Sequence, residues 1–294
     1  MEDFILRATA ANGFIRAFAV HSTKTVEEAR RIHDTTPVAT AALGRLISAA
    51  AMMGATLKNE KDRLTLQIKG DGPLEGLLVT SDANVNVKGY VFNPQADVPE
   101  IYPGKLEVGM AVGHGSMRII KDIGLREPYC GTIELISGEI AEDLTYYFAK
   151  SEQIPSAVGL GVLVDMDRTV RQAGGFFVQL MPGAPDEVID KLEDNINRLP
   201  YTTDLMDMGK TIEEILGMIL TGFEYEVNDK LPLNYLCDCS KERVEQALIS
   251  IGAKDLAKIA QEDKKAEISC HFCNKKYEFN EEELMSLLAE ALED

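Results

Sequence analysis

Positive charge is what this sequence has too little of: 30 lysines and arginines stand against 48 aspartates and glutamates, giving a formal charge of -18 and an isoelectric point near 4.7. A surface of that sign repels phosphate and anionic lipid instead of releasing counterions from them. Neither nucleic acid nor a membrane is an expected partner. Export is not expected either, because Met1-Glu2-Asp3-Phe4 carries acids where a signal peptide has a basic stretch before an apolar run. A cytoplasmic location is expected. Long hydrophobic runs are equally scarce. The most apolar helix-length window, Val38 to Leu57, contains Arg45 and Ser48 and consists largely of Ala and Gly, so it predicts a buried helix of a soluble protein.

Cysteine is sparse, with five in all, an odd number, and four of them follow position 236. That distribution excludes a secreted disulfide framework and fits a reducing compartment. Cys130, in Pro128-Tyr129-Cys130-Gly131, is expected to be a small buried hydrophobe. His21 and His33 are isolated, and a lone imidazole is more often packed than ligating.

What remains is 45% apolar and 27% charged, the balance of a globular protein, and 294 residues allow one large core with a satellite module. Phe4–Ala8 and Phe14–Phe18 flank Asn12-Gly13, the dipeptide of a tight hairpin. Thr25-Val26-Glu27-Glu28 reads as a capping box opening a helix to about His33, and Thr36-Pro37 starts the Ala-rich helix. β-rich runs follow at Leu64–Ile68, Leu77–Thr80, Val85–Phe92, Met117–Ile120 and Thr132–Ile136. A helix is expected over Ile140–Ser151, then strands at Val158–Val164 and Phe176–Leu180. From Asp186 to about Glu226 the periodicity predicts helices, with a second capping box at Thr211-Ile212-Glu213-Glu214. Their apolar stripe cannot close a core alone and must dock elsewhere; Met206, Met208 and Met218 would make it adaptable once uncovered. The fold class is therefore α+β: a strand-rich N-terminal domain over 1–182, a helical linker over 183–230 and a C-terminal module over 231–294.

Three motifs fail their own tests. Gly209-Lys210-Thr211 ends like a phosphate-binding loop, but position 204 is Asp where Gly is required, and no ATP chemistry is expected. Gly113-His114-Gly115-Ser116 lacks the spacing of a hydrolase nucleophile turn. Asp165-Met166-Asp167 opens like a calcium loop, yet Val170 and Phe176 stand at its required glycine and final ligand. No enzyme activity is expected.

Cys237-Asp238-Cys239 and Cys270-His271-Phe272-Cys273 supply two close pairs of soft ligands, the donor set for a closed tetrahedral zinc site. In most small modules such a metal only holds the fold together. Two features point beyond that. The Cys-x-Cys sulfurs are near enough in sequence to oxidise together into a small strained ring, and zinc with Lys275, Lys276 and His271 would favour the thiolate that oxidants attack.

These residues carry a family resemblance. Leu236-Cys237-Asp238-Cys239-Ser240-Lys241-Glu242-Arg243 and Cys270-His271-Phe272-Cys273-Asn274-Lys275-Lys276-Tyr277-Glu278-Phe279 resemble the redox-regulated 33 kDa heat-shock chaperones. So do Ala41–Arg45, Gly70–Leu74, Lys88–Val91, Tyr147-Phe148 and Ser151–Pro155, spread over nearly the whole chain. The resemblance implies an ATP-independent holdase for unfolded or oxidatively damaged client proteins in heat and oxidative stress. It implies one zinc ion held by Cys237, Cys239, Cys270 and Cys273 in an inactive reduced form. Oxidation would then form disulfides Cys237–Cys239 and Cys270–Cys273, release zinc, unfold the module and linker, and favour a homodimer. The rivals are a zinc ribbon recruiting nucleic acid or a ribosome, which the acidic balance opposes, and a Cys-x-x-Cys thiol oxidoreductase, which needs a strand–motif–helix setting that the sequence does not present.

Overall fold

The computed structural model describes residues 2–102 and 104–293, and the chain divides into two compact units, Met1–Leu236 and Cys237–Asp294. Helices and strands mix in both, as the α+β reading expects.

In the first unit β1 (Phe4–Ala10) and β2 (Ile15–His21) form the anticipated hairpin, with Ala11, Asn12 and Gly13 at positive φ in its turn. Helix α1 (Thr23–His33) begins two residues before the anticipated capping box. A remote acid does the capping: Asp3 Oδ2 accepts the Thr25 N–H at 2.6 Å, and Asp3 Oδ1 lies 2.9 Å from His21 Nδ1. A carboxylate at a helix N-terminus is favoured by the dipole, whichever part of the chain supplies it. Helix α2 (Pro37–Gly54) starts at Pro37, and the Thr36 side chain accepts from the Ala39 N–H. It alone among the described helices is long and apolar enough to cross a membrane, and nearly all of it is buried inside the unit.

The strands β3 (Arg63–Gly70), β4 (Gly76–Asp82) and β5 (Asn86–Val91) precede a short helix α3 (Val108–Val112). Then come β6 (Gly115–Asp122), β7 (Tyr129–Glu134), α4 (Ala141–Tyr147), β8 (Ser156–Val164) and β9 (Val170–Leu180). The segment expected as a helical linker carries α5 (Asp186–Asn197), α6 (Thr202–Asp207) and α7 (Ile212–Ile219). Its last residues depart from the helical reading. Tyr225–Pro232 is strand β10, paired antiparallel with β1 from Phe4↔Pro232 to Ala10↔Tyr225, and β11 (Asn234–Tyr235) then pairs parallel with β5. The polar run Tyr225-Glu226-Val227-Asn228-Asp229 has no strong strand signal of its own; it extends because β1 otherwise leaves a row of backbone groups unpaired.

Two sheets result, ordered β10-β1-β2-β9-β8 and β11-β5-β4-β3-β6-β7, and α2 packs against strands of both. Alternation divides the first sheet cleanly. Ile5, Phe18 and Val20 face α2, while Phe4, Leu6, Ala8, Ile15, Ala17 and Ala19 face the other way, onto Leu205, Met206, Ile212, Ile215, Leu216 and Ile219 of α6 and α7. Here the apolar stripe of the linker finds its dock. Met206 is buried in it, Met218 half-buried, and Met208 exposed.

Cys130 corrects an expectation. It is exposed, because β7 lies at a sheet edge with Gly131 and Ile133 turned inward and Cys130 and Thr132 outward. Arg118 Nε donates to its sulfur at 2.8 Å.

The second unit contains α8 (Lys241–Ser250), α9 (Ala253–Lys258), a hairpin of β12 (Lys265–Ser269) and β13 (Lys276–Asn280), and α10 (Glu281–Glu293). Asn280 and Glu283 cap α10 reciprocally, each side chain accepting the other's N–H at 2.9 Å. Its core is small: Val244, Leu248, Leu256, Ala260, Tyr277, Phe279, Leu284, Leu287 and Leu288.

Candidate metal centre

Cys237 and Cys239 lie on an extended stretch that runs into α8, whose start is set by the Ser240 side chain accepting the Arg243 N–H. Arg243 also holds Asp238, the residue between the two thiols, through its carboxylate and its carbonyl. Cys270 and Cys273 occupy the turn from β12 to β13. The Cys270 N–H donates to the Lys275 carbonyl at 2.9 Å, the Asn274 N–H donates to the Cys270 carbonyl at 2.8 Å, and Asn274 sits at φ +57. A short polar residue tolerates that left-handed position, which reverses the chain tightly enough to group both sulfurs.

All four sulfurs lie within 4.8 Å of one another, with Cys237 Sγ to Cys270 Sγ at 3.6 Å and Cys239 Sγ to Cys273 Sγ at 3.4 Å. Four sulfurs at the usual zinc distance of about 2.3 Å stand roughly 3.8 Å apart at the corners of a tetrahedron. The spacing and the all-sulfur chemistry therefore fit a tetrahedral thiophilic ion, and His271 is not needed to complete the set. Each of the four side chains is half-buried.

Their electrostatics differ. Burial pushes the Cys237 and Cys273 thiols up. At Cys239 burial acts in the same direction but is outweighed by hydrogen bonds from the Tyr277 hydroxyl and the neighbouring thiols, which bring it down to about 7. The nearby lysines have other engagements: Lys276 Nζ is paired with Glu267 at 2.7 Å, and Lys275 Nζ lies 5.1 Å over the Tyr277 ring. Thiolate character at Cys239 is thus favoured by a tyrosine that the residue pattern did not single out. An aromatic four positions after Cys273 is visible in the sequence; that its hydroxyl meets a sulfur, at 3.2 Å, is visible only in the fold.

The motifs set aside earlier fall in structural roles. Gly209 is a positive-φ turn residue after α6, Lys210 pairs with Glu214 and Thr211 caps α7 in a complete capping box. Gly113 is at φ +75 and has no room for a side chain beside Asp71, while Asp165 belongs to the turn between β8 and β9. His21 stands against Asp3, and His33 Nε2 lies 3.3 Å from the Tyr235 hydroxyl.

A family model described as Hsp33 protein matches residues 3–280. The chain is 55% identical over 291 residues to a 33 kDa chaperonin of Clostridioides difficile, covering 99% of this chain and 100% of the relative. It is 54% identical over 288 residues to a 33 kDa chaperonin of Lachnoclostridium phytofermentans, covering 98% and 99%. A crystal structure of the 33 kDa chaperonin of Thermotoga maritima, 37% identical, superposes with a TM-score of 0.89 over 100% of both chains.

Proposed function

Because the chain belongs to the Hsp33 family, we propose that it is an ATP-independent holdase for unfolded and oxidatively damaged proteins, switched by the oxidation of its four clustered thiols. In the resting form Cys237, Cys239, Cys270 and Cys273 hold one zinc ion, which supplies a cross-link between two distant segments. The convergence of those segments within 4.8 Å, in a unit with so small a core, carries this reading.

The physics is an asymmetry of reach. A structural zinc supplies on the order of 10–16 kcal/mol of apparent binding free energy, which in so small a unit is essentially its folding free energy. A disulfide closing a three- or four-residue loop restricts the unfolded chain by only roughly 1.5–2 kcal/mol. All six sulfur pairs stand within 4.8 Å, so proximity alone does not choose the partners. The family resemblance pairs Cys237 with Cys239 and Cys270 with Cys273, and on that pairing nothing covalent joins Leu236–Ser240 to the β12–β13 turn. The unit then unfolds, the linker helices loosen, and the apolar face of the first sheet together with the Met206–Leu220 stripe becomes the client surface. Activation favours a homodimer. The acidic surface, with its formal charge of -18, keeps the exposed form dispersed in the cytoplasm.

Two rival chemistries are disfavoured. Cys270 and Cys273 lie between two strands, not at the N-terminus of a helix that would activate a redox dithiol. The acidic balance opposes a nucleic-acid ribbon. The deciding experiment is light scattering of a heat-denaturing test protein with this chain added either reduced and zinc-loaded or peroxide-treated. Protection only after peroxide is expected. Equal protection in both states would leave a chaperone without a switch, and protection in neither would end the assignment.

A further inference from the structure

Alternation gives the second sheet two faces. Leu66 and Ile68 of β3, Met117 and Ile119 of β6 and Ile133 of β7 point into the core, so Gln67, Lys69, Ser116, Arg118 and Thr132 point the other way. On that face Ser116 is a short side chain between two long ones. It lies opposite Lys69 in the β3–β6 register and two residues before Arg118 on its own strand, and Arg118 lies opposite both Gln67 and Thr132. Directly opposed residues on one face stand about 5 Å apart at Cβ and diagonal ones about 7–8 Å. The two cations therefore rim a depression floored by Ser116, and with Gln67, Thr132 and Cys130 they line a cavity of about 290 Å³.

The chemistry of this cavity is one-sided. Arg118 Nε donates to Cys130 Sγ at 2.8 Å, which fixes the guanidinium on the sheet. Its terminal nitrogens and the Lys69 ammonium have no acidic partner among the described residues, and no carboxylate lines the cavity. Glu134, opposite Ser116 on β7, is ion-paired with neither. Two like charges set diagonally on one sheet face repel each other unless an anion lies between them. The average surface, with its formal charge of -18, is hostile to anions, but a concave pair of unpaired cations reverses that sign locally.

We propose that this groove on β3, β6 and β7 binds a small phosphate-type oxyanion. The Arg118 guanidinium supplies a planar fork of donors and Lys69 a point charge, the two ways in which side chains hold phosphate oxygens. The Ser116 and Thr132 hydroxyls and the Gln67 amide add neutral donors from the floor and sides of the same cavity. Cys130 holds Arg118 in place through its sulfur. The site lies wholly within the first unit and uses none of the four clustered thiols.

Calorimetric titration of the full-length chain with pyrophosphate, at an ionic strength held constant with sodium chloride, provides the test. Saturable binding at one site is expected. Arg118→Gln and Lys69→Gln should each weaken it about ten- to hundredfold, the range of hydrogen bonds to charged groups. Lys61→Gln removes the same charge from an exposed lysine outside the cavity and should leave the affinity unchanged. All three positions are away from the core, so each variant should melt where the parent does. Saturating pyrophosphate should also slow maleimide labelling of Cys130 in the parent and not in Arg118→Gln. Orthophosphate and glycerol phosphate, titrated in the same way, separate a free anion from an esterified one, and tighter binding of either keeps the oxyanion site and names its ligand. Absence of saturable binding by the parent overturns the proposal. So does equal weakening in Lys61→Gln, or Cys130 labelling that is indifferent to pyrophosphate.

Discussion

Gly44 of α2 stands so close to Val26 of α1 that a Cβ there would lie 2.6 Å from Val26 Cγ1, and 2.8 Å from Val162 Cγ2 on β8. Both neighbours are branched, stiff at χ1 and buried, so neither can give way cheaply. Gly44→Ala should therefore lower the unfolding free energy of the first unit by about 1–3 kcal/mol, even though Ala is the better helix former. A urea titration would show it as a lower midpoint at unchanged slope. An unshifted or raised midpoint would mean that the packing between α1, α2 and β8 is looser than described.

Removing the metal proposed for the four thiols should affect the two units unequally. With a strong chelator and peroxide, the amides of β12 and β13 should lose hydrogen-exchange protection while those of β3 and β4 keep theirs, since the second unit has so little core besides the cross-link. Peptide mapping of the oxidised chain should find Cys237 joined to Cys239 and Cys270 to Cys273. A Cys237–Cys270 bond would keep the two segments tied and contradict the proposed switch.

Ile215 and Leu216 are fully buried against the outer face of the first sheet. Changing both to Ser buries hydroxyls in an apolar cluster and leaves cavities, a loss of several kcal/mol from that packing layer. The reduced variant should bind more of a hydrophobic dye than the parent, and the oxidised variant should protect a heat-denaturing client less well. Client protection equal to the parent's would remove the Met206–Leu220 stripe from the client surface.

The two-pronged pair between Glu27 and Arg30, at 2.8 and 2.7 Å, holds the Glu27 carboxyl below its ordinary value of 4.5, with burial opposing and the Val170 N–H assisting. The folded value lies below the unfolded one. The stabilisation is therefore complete above about pH 4.5 and is lost as pH falls through the lower folded value. Glu27→Gln should lower the thermal midpoint at pH 7, and the gap to the parent should close on acidification. A gap that widens below pH 4.5 would reverse the sign of this linkage.

Cys130 is exposed beside Arg118, whereas the other four thiols are half-buried and clustered. In the native, reduced, zinc-loaded chain a maleimide should label Cys130 first and the other four only after the metal is removed. Cys130→Ser should change stability by no more than about 0.5 kcal/mol, as surface substitutions usually do. Labelling of Cys237 or Cys270 ahead of Cys130 would argue against a protected cluster.

Much of this was legible in local pattern. Asn12-Gly13 dictated a hairpin, Thr36-Pro37 and Thr211–Glu214 dictated helix starts, and each stands where a nearest-neighbour rule puts it. The two cysteine pairs were legible as candidates, because soft donors at short spacing are visible in the sequence, and the fold brings all four sulfurs within 4.8 Å of one another. Thr25 is not the helix cap because the helix already begins at Thr23, and Asp3, distant in sequence, accepts the Thr25 N–H. Cys130 was misjudged because hydrophobicity says what a side chain tolerates, not which face of an edge strand it occupies.

By itself the sequence determined the α+β class, the helix stripe that had to find a dock, and the two close pairs of cysteines, each a property of residues near one another along the chain. Only tertiary structure decided that the stripe covers one face of the β1–β2 sheet, that a polar tail becomes β10, and that a tyrosine hydroxyl rests on Cys239. The physical reason is range. Propensity and ligand chemistry act within a few residues, while edge pairing, remote capping and the hydrogen bond to a sulfur depend on which distant groups folding brings within 3–4 Å.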